Sequence, residues 1–415
     1  MSHFGVISPP VSGHLDPLSA LGRELIARGH RVTCFQLVDL DETIRAQGLE
    51  FVPIGEQDFP RDSLPRWLAE LGRVKGLAAL RLTIEAVART SVAVCRDAPA
   101  AIRQAGVDAL LVDQMEPAGG AVAEHLGMPF LTICNALAIN RDPVAPPPFT
   151  PWTYRATRWA RARNWLGYAI SDWMTSPIAR AVADYRARWR LRPLRSPDES
   201  FSSRAQICQM PRAFDFPRLA LPSSFHYVGP LRRARPVPIP FPWDRLDGRP
   251  LVYASLGTLQ NSREPLFRAF AEACAGLDVQ LVISHGGGLR PHETAALPGQ
   301  PLVVDYAPQL ELLARAALTI THAGLNTVLD SLANGVPLVA VPLTYEQPAI
   351  ARRVEWSNCG RWISIARLTP SRLTQLVRGV IADPAHRDAA HRMRDAIREA
   401  GGVTRAADLI EASLR

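Results

Sequence analysis

Apolar residues along the chain fall into short continuous runs divided by stretches of helical spacing. Phe4–Ile7 is such a run, followed by a Pro/Ser/Gly loop over 8–13. Leu18, Leu21 and Leu25 then recur at helical spacing, Gly29-His30 ends that helix, and Val32–Leu37 is the next strand. This order is a βαβ unit, which predicts a parallel sheet with helices on its faces. The alternation continues through the strand Ala109–Val112, closed by Asp113, a helix over Ala118–Leu126 and the strand Phe130–Cys134. Residues 143–151 are rich in proline and read as an irregular loop.

Six prolines between Pro230 and Pro250 interrupt the pattern and mark a linker. Beyond it the pattern restarts. Strands are predicted over Leu251–Ser255, Val279–Ser284, Leu302–Val304, Leu318–Thr321 and Leu338–Val341, with helices over Glu264–Cys274 and from Leu325. Two such restarts predict an α/β chain of two doubly wound, Rossmann-like domains facing each other across a cleft. The expected boundaries are 1–229 for an N-terminal domain, 230–250 for the linker and 251–400 for a C-terminal domain. Residues 401–415 are expected to form a helix packing back toward the N-terminal domain.

Composition narrows the class. With 415 residues, 47% hydrophobic and 21% charged, the chain has the make-up of a folded protein with more than one core. The start lacks a basic region followed by an apolar run, and no window is long and apolar enough to span a bilayer. Cys34, Cys95, Cys134, Cys208, Cys274 and Cys359 form no CxxC pair, so buried free thiols in a reducing, cytoplasmic setting are expected and no metal site. The net charge of +8 is concentrated. Ten arginines against Asp172 and Asp184 lie between Tyr154 and Arg195, whereas the only lysine is Lys75. Trp152, Trp159, Trp165, Trp173 and Trp189 share that stretch. It reads as a helical insert with arginine stems laid on apolar surface, as a wall for an apolar ligand, or as a peripheral membrane contact over 152–195. Nucleic acid is not expected, because no recognised binding motif accompanies the charge.

Candidate chemistry gathers in Tyr306–Gln347. Leu325, Val328, Leu329 and Leu332 place one face of a helix in the core, Asn326, Thr327, Asp330 and Ser331 occupy the other, and Gly335 supplies the C-terminal cap. The strand before it enters through His322-Ala323-Gly324, where glycine permits close backbone approach and the helix N-terminus favours a diphosphate. By chemistry alone an ordinary βα turn with a solvated polar face fits equally well. In the first half, His14 follows a strand and a loop and Asp113 ends a strand, so both belong at the carboxyl edge of one sheet. A carboxylate on one imidazole nitrogen fixes the tautomer and leaves the other as a base. Asp39-Leu-Asp41 matches a DxD metal motif by letter but follows a second strand and reads as a solvated turn. His386 and His391 sit in a polar helix with no third ligand, and Gly286-Gly-Gly288 reads as a loop.

The unbroken run YAPQLELLARAALTITHAGLNTVLDSLANGVPLVAVPLTYEQP resembles the donor-binding signature of UDP-sugar-dependent glycosyltransferases of the GT-B fold. That resemblance implies that Tyr306 stands where the family has a tryptophan stacking on uracil. Gln309 then reaches base or ribose, His322, Gly324, Asn326 and Thr327 meet the diphosphate, and Asp330 replaces a glutamate on the ribose. Glu346 and Gln347 match the pair that holds the sugar hydroxyls, while Thr344 departs from a tryptophan of plant members. VYASLGT, residues 252–258, is similar to the family's opening strand and turn, with Ser255, Gly257 and Thr258 at the phosphates. His14 and Asp113 match the family's catalytic pair. VYASLGTLQ, ITHAGLNTVLD, PLTYEQP and the late AGGVTRAADLIE are similar to the carotenoid-glucosylating branch.

The resemblance implies an inverting transfer of glucose from UDP-glucose to a hydroxyl of a hydrophobic acceptor, with a carotenoid end-ring hydroxyl of the zeaxanthin kind in the lead and with neither cofactor nor metal. Polyphenols, sterols and macrolides remain alternative acceptors. A UDP-sugar epimerase on the same fold, or a binding protein working through the Arg/Trp-rich segment, are the other readings.

Overall fold

The strands that carry the core have no solvated face. His3–Ile7 and Ala109–Asp113 are buried at every position, as a parallel sheet covered by helices on both sides requires. The computed structural model describes residues 1–74, 76–232, 238–257 and 263–414. Its first sheet contains β1 (His3–Ile7), β2 (Arg31–Gln36), β3 (Glu50–Pro53), β4 (Ala109–Asp113), β5 (Phe130–Cys134), β6 (Gln206–Cys208) and β7 (Phe225–Tyr227). The order is β3-β2-β1-β4-β5-β6-β7, with parallel pairing throughout. The second contains β8 (Leu251–Ser255), β9 (Gln280–Ser284), β10 (Leu302–Val304), β11 (Ala316–Thr321), β12 (Leu338–Ala340) and β13 (Gly360–Trp362), ordered β10-β9-β8-β11-β12-β13 and also parallel.

These are the two doubly wound units expected from the sequence. Each strand read there lies within a residue or two of the observed one, whereas β3, β6, β7 and β13 are not among the strands the pattern predicts. Strand order reverses between β1 and β4 and again between β8 and β11, and ligands of open α/β sheets bind at such switch points. Register decides what meets there. Ile7 pairs with Val112, so the loop after β1 arrives beside Asp113. Thr321 pairs with Ser255, so His322 arrives beside the turn after Ser255.

Two further features place the site. The helices Ser63–Arg73 and Gly76–Ala105, inserted between β3 and β4, line one side of the cleft. The segment read as a linker leaves the first sheet after β7 and enters the second at β8, and residues 233–237 of it lie outside the described residues. The helix Gly402–Ser413 returns to the first unit, where Ala406, Ala407 and Ile410 join the core of Phe4, Leu21 and Leu25. Arg28 fastens it through Asp408 at 2.8 Å and Glu411 at 3.3 Å.

The two units share a buried core. Met210 and Phe214 of the first pack in one cluster with Val328, Ile350 and Val354 of the second. Beside it Asp215 accepts from Arg353 Nη2 at 2.8 Å across the junction, from Arg218 Nε at 2.7 Å and from the Tyr227 hydroxyl at 2.8 Å. Burial alone pushes the Asp215 carboxyl up, but the Arg218 and Arg353 charges and the Tyr227 hydrogen bond outweigh it and hold it below the usual carboxylate range.

Candidate active site

A cleft of about 1170 Å³ lies between the units. On its first wall, His14 sits in the opening turn of the helix Ser12–Ala27, whose start displaces the loop expected through Gly13. Its Nδ1 lies 2.8 Å from Asp113 Oδ2. Asp113 closes β4 and is itself buried. It is held from behind by Asn135 Nδ2, which donates to the same oxygen at 2.8 Å, and by the Met115 N–H, which donates to Oδ1 at 2.8 Å. With Nδ1–H donated to the carboxylate, Nε2 of His14 is the basic nitrogen. Burial works against the imidazolium, but the charge and hydrogen bond of Asp113, with Glu346 adding to them, raise the His14 pKa above 6.5.

On the second wall the chain leaves β11 at His322. The imidazole is clasped between two glycines. A Cβ on Gly324 would lie 2.4 Å from His322 Nε2, and one on Gly257 would lie 2.8 Å from Cε1. No side chain but hydrogen fits at either position, and Gly257 also has a φ of +72°. Burial pulls the His322 pKa down to about 4, against a hydrogen bond that the imidazole donates to the Ser255 backbone carbonyl. The ring is therefore neutral near pH 7 and offers one N–H. Ala323 follows with φ +66°, a left-handed turn in a residue other than glycine, and such strain collects at functional turns. The helix Leu325–Ala333 begins at Gly324 with no side-chain cap, so its opening amides are directed at the cleft without a capping oxygen of the chain's own. Gly335 takes the position after its C-cap with φ +71°.

The polar face of that helix is buried, not solvated. Asp330 Oδ1 accepts from Arg232 Nε at 2.6 Å and Oδ2 from Gln309 Nε2 at 2.7 Å. Gln309 Oε1 in turn accepts from the Tyr253 hydroxyl at 3.3 Å. Asn326 donates to the Gly13 carbonyl and accepts from Gln209, each at 3.0 Å. Its side chain is committed to the junction, which leaves its N–H for a ligand. Gln347 folds the preceding loop by accepting from the Leu343 and Thr344 amides at 2.8 and 3.0 Å. Glu346 precedes it at the start of the helix Gln347–Trp356, and burial raises its carboxyl pKa while the nearby His14 lowers it. Tyr345, at φ +53°, reaches over the cleft to Thr83 Oγ1 at 3.1 Å.

His14, Ser255, Gly257, Tyr306, Gln309, His322, Gly324, Asn326, Thr327, Asp330, Glu346 and Gln347 all line this one cleft, with Asp113 directly behind His14. Thr258 lies outside the described residues. The pattern reading missed Asn135, Gln209, Arg232 and Tyr345. Asn135 was within reach, because it follows β5 at the same carboxyl edge as Asp113. Arg232 had no signal beyond its place at the head of a proline-rich segment.

The discounted motifs resolve as structural parts. Asp39 stands in a half-exposed single turn, where its carboxylate accepts from the Asp62 and Leu64 amides at 2.5 and 2.8 Å and anchors the start of the helix Ser63–Arg73. His386 is buried with Nδ1 on the Asn358 carbonyl at 2.8 Å. The six cysteines are buried free thiols. Among the described residues no helix is long and apolar enough to cross a membrane.

Comparison with known proteins agrees with this geometry. The family model for UDP-glucoronosyl and UDP-glucosyl transferases matches residues 63–398. A zeaxanthin glucosyltransferase of Pantoea ananas is 39% identical over 415 residues, covering 99% of this chain and 96% of that one. Another, of Pseudescherichia vulneris, is 37% identical over 420 residues, covering 100% and 98%. Among solved structures, the glycosyltransferase of kitacinnamycin superposes with a TM-score of 0.78 at 25% identity, covering 100% of this chain and 99% of that one. The calicheamicin glycosyltransferase CalG4 gives 0.77 at 24%, covering 100% and 98%. Sugar transfer from a nucleotide carrier to a hydroxylated acceptor is thus the activity of this architecture, and the chain belongs to the UDP-glycosyltransferase family of GT-B enzymes.

Proposed function

We propose that this chain transfers glucose from UDP-glucose to a hydroxyl of a hydroxylated carotenoid, with inversion at the anomeric carbon and with no metal ion taking part. The observation that carries the reading is the meeting of two switch points. The His14–Asp113 pair at the first opens on the same cleft as the His322–Gly324 turn at the second.

In this reading His14 Nε2 accepts the proton of the acceptor hydroxyl as that oxygen bonds to the anomeric carbon. The bond from that carbon to the diphosphate breaks on the opposite face, so an α-linked donor gives a β-glycoside. Asp113 stabilises the imidazolium that forms. General-base help of this kind is typically worth roughly 10²–10⁴-fold. The charge growing on the leaving diphosphate is met by the opening amides of the helix Leu325–Ala333 and by the neutral His322, in the manner of other preorganised anion sites. Those donors take the part a metal ion plays elsewhere. Tyr306 is the surface for uracil, Gln309 and Asp330 for the ribose, Glu346 and Gln347 for the sugar hydroxyls. Ser255 and Gly257 border the phosphates.

The acceptor assignment rests on two supports. Both zeaxanthin glucosyltransferases align over nearly their whole length. The wall opposite the donor residues is apolar, with Leu64, Trp67, Leu68, Leu71, Val87 and Phe149 along it, which suits a long hydrocarbon.

The test is incubation with UDP-glucose and zeaxanthin in detergent micelles, with and without EDTA. Release of UDP that requires the acceptor, a glucoside by mass, β-configuration by proton coupling and indifference to EDTA are expected. An isomerised donor without acceptor supports an epimerase instead. Faster turnover of polyphenols, sterols or macrolides reassigns the acceptor, and dependence on a divalent ion removes the metal-free step.

A further inference from the structure

The helix Arg158–Arg188 leaves an apolar stripe uncovered. Trp159, Leu166, Ile170 and Trp173 recur at i, i+7, i+11 and i+14, which a helix of 3.6 residues per turn places on one side. Trp165 flanks them. Trp159, Trp165 and Trp173 are 87%, 72% and 78% exposed, although indole is among the costliest side chains to leave in water. The charge beside the stripe is equally unspent. Arg186 pairs with Glu124, Arg192 with Glu199, and Asp172 is taken by Arg141. Arg155, Arg158 and Arg161, all exposed around the stripe's first turn, pair with no carboxylate among the described residues.

We propose that this face is a docking surface for an anionic phospholipid bilayer, with the three tryptophans at the headgroup boundary and Arg155, Arg158 and Arg161 on lipid phosphates. An interfacial helix combines a tryptophan-bearing apolar face with cationic flanks, as this one does. A second copy of the chain is the poorer occupant, because a two-fold contact would gather two arginine clusters into one interface. The placement also has a use. This helix packs on Gly76–Ala105, whose Thr83, Ala86, Val87 and Thr90 line the cleft, and Phe149, nine residues before Arg158, lines it too. A docked helix therefore holds the apolar wall of the cleft beside the phase in which a water-insoluble acceptor dissolves. That last use rests on the acceptor class proposed above, whereas docking itself does not.

The experiment is co-flotation of the full chain with phosphatidylcholine vesicles and with mixed phosphatidylcholine–phosphatidylglycerol vesicles, at low and high salt, with no acceptor present. Flotation with the anionic vesicles only, a blue shift of tryptophan emission and loss of both at high salt are expected. The combined change Arg155→Gln, Arg158→Gln and Arg161→Gln should weaken partitioning roughly 10- to 100-fold. Trp159→Ser, Trp165→Ser and Trp173→Ser together should abolish the blue shift. Unchanged melting temperature and unchanged turnover of a small water-soluble acceptor establish that both variants are folded. Failure of the unaltered chain to float with anionic vesicles overturns the proposal, as do variants that float like it. Equal flotation with both lipids removes the phosphate contacts, and a dimer that the tryptophan variant converts to monomer assigns the stripe to self-association.

Discussion

Asn326, in the first turn of the donor-side helix, donates to the carbonyl of Gly13 at 3.0 Å, and Gly13 immediately precedes His14. Gln209 closes the same amide from the other side at 3.0 Å. One side chain therefore ties the turn that carries His14 to the start of the helix Leu325–Ala333, the proposed base to the proposed diphosphate site. Asn326→Ala leaves the Gly13 carbonyl without this donor and removes one of the two acceptors of Gln209 Nε2, which keeps the Asn135 carbonyl, a change of about 1–3 kcal/mol. Because small misplacements of reacting groups are costly, kcat/KM should fall about 10- to 100-fold. UDP affinity by calorimetry should barely change. A matching fall in UDP affinity would show that Asn326 binds nucleotide and does not register the two walls.

The His14–Asp113 pair predicts the pH profile. A base must be neutral to act, and Asp113 raises the His14 pKa above 6.5. Log kcat/KM should rise with pH through a value above 6.5 and then level off. Asp113→Asn removes the charge that opposes burial, so its limb should move to lower pH while the plateau drops roughly 10²–10⁴-fold. Glu346→Gln should move the limb the same way by less. Glu116 needs a control, because burial pushes its carboxyl up to about 7 and its N–H bonds the Asp113 carbonyl at 2.9 Å. Glu116→Gln should leave the limb where it is, and a limb that follows Glu116 reassigns the titration.

The glycines around His322 predict a steric effect confined to the donor. The Gly324→Ala methyl would sit 2.4 Å from Nε2, far inside contact distance, so the ring or the helix start must shift. UDP affinity should fall by about 10-fold or more, since both are proposed to meet the diphosphate. Acceptor binding, followed by quenching of tryptophan emission, should persist. Gly257→Ala adds left-handed strain to the same clash and should be the worse of the two. An alanine variant that binds UDP normally would remove His322 from the cradle.

Arg232 is the residue pattern reading could not have placed. It pairs with Asp330 at 2.6 Å and donates to the Asn326 carbonyl at 3.2 Å, fixing the carboxylate proposed to meet the ribose. Arg232→Ala should raise KM for the donor about 10-fold, the scale of one hydrogen bond to a charged group. It should also flatten the salt dependence of UDP binding. Unchanged KM and Kd would place Arg232 outside donor recognition.

How far the sequence reached follows from the kind of signal each residue gives. His322, Gly324 and the face of Leu325, Val328, Leu329 and Leu332 were legible because a strand, a turn and a helix are consecutive in the chain. His14 and Asp113 were legible as two ends of strands, but their 2.8 Å approach depends on the Ile7–Val112 register, which neither segment encodes alone. The burial of Asp330 could not be told from a solvated face by spacing alone, because its partners, Arg232 and Gln309, lie 98 and 21 residues away. The anchoring role of Asp39 is hidden in the same way, because its partners Asp62 and Leu64 come after another strand. Helical and strand periods report which face is covered, not by what.

The junction itself gives the last prediction. Arg353 is fully buried, donates to Asp215 Oδ1 through Nε at 3.0 Å and Nη2 at 2.8 Å, and stacks over Phe216 with 4.2 Å to the ring centroid. Removing Arg353 takes away one of the two guanidiniums that balance Asp215, and removing the Asp215 charge strands both, a loss of about 3–5 kcal/mol for an uncompensated buried charge. Arg353→Met should therefore lower the melting temperature by several degrees and loosen the two units, with trypsin cutting near the proline-rich segment. Asp215→Asn should do the same with a distinct acid signature. Because the folded state holds the Asp215 pKa below its ordinary value, its contribution is present above the unfolded carboxylate pKa of about 3.9 and fades as pH falls through the folded one. The stability gap between the native chain and Asp215→Asn, measured by urea unfolding, should then be full at pH 7 and narrow progressively below about pH 4. A gap that stays constant into acid would mean that Asp215 acts through packing, with its charge of no consequence to the junction.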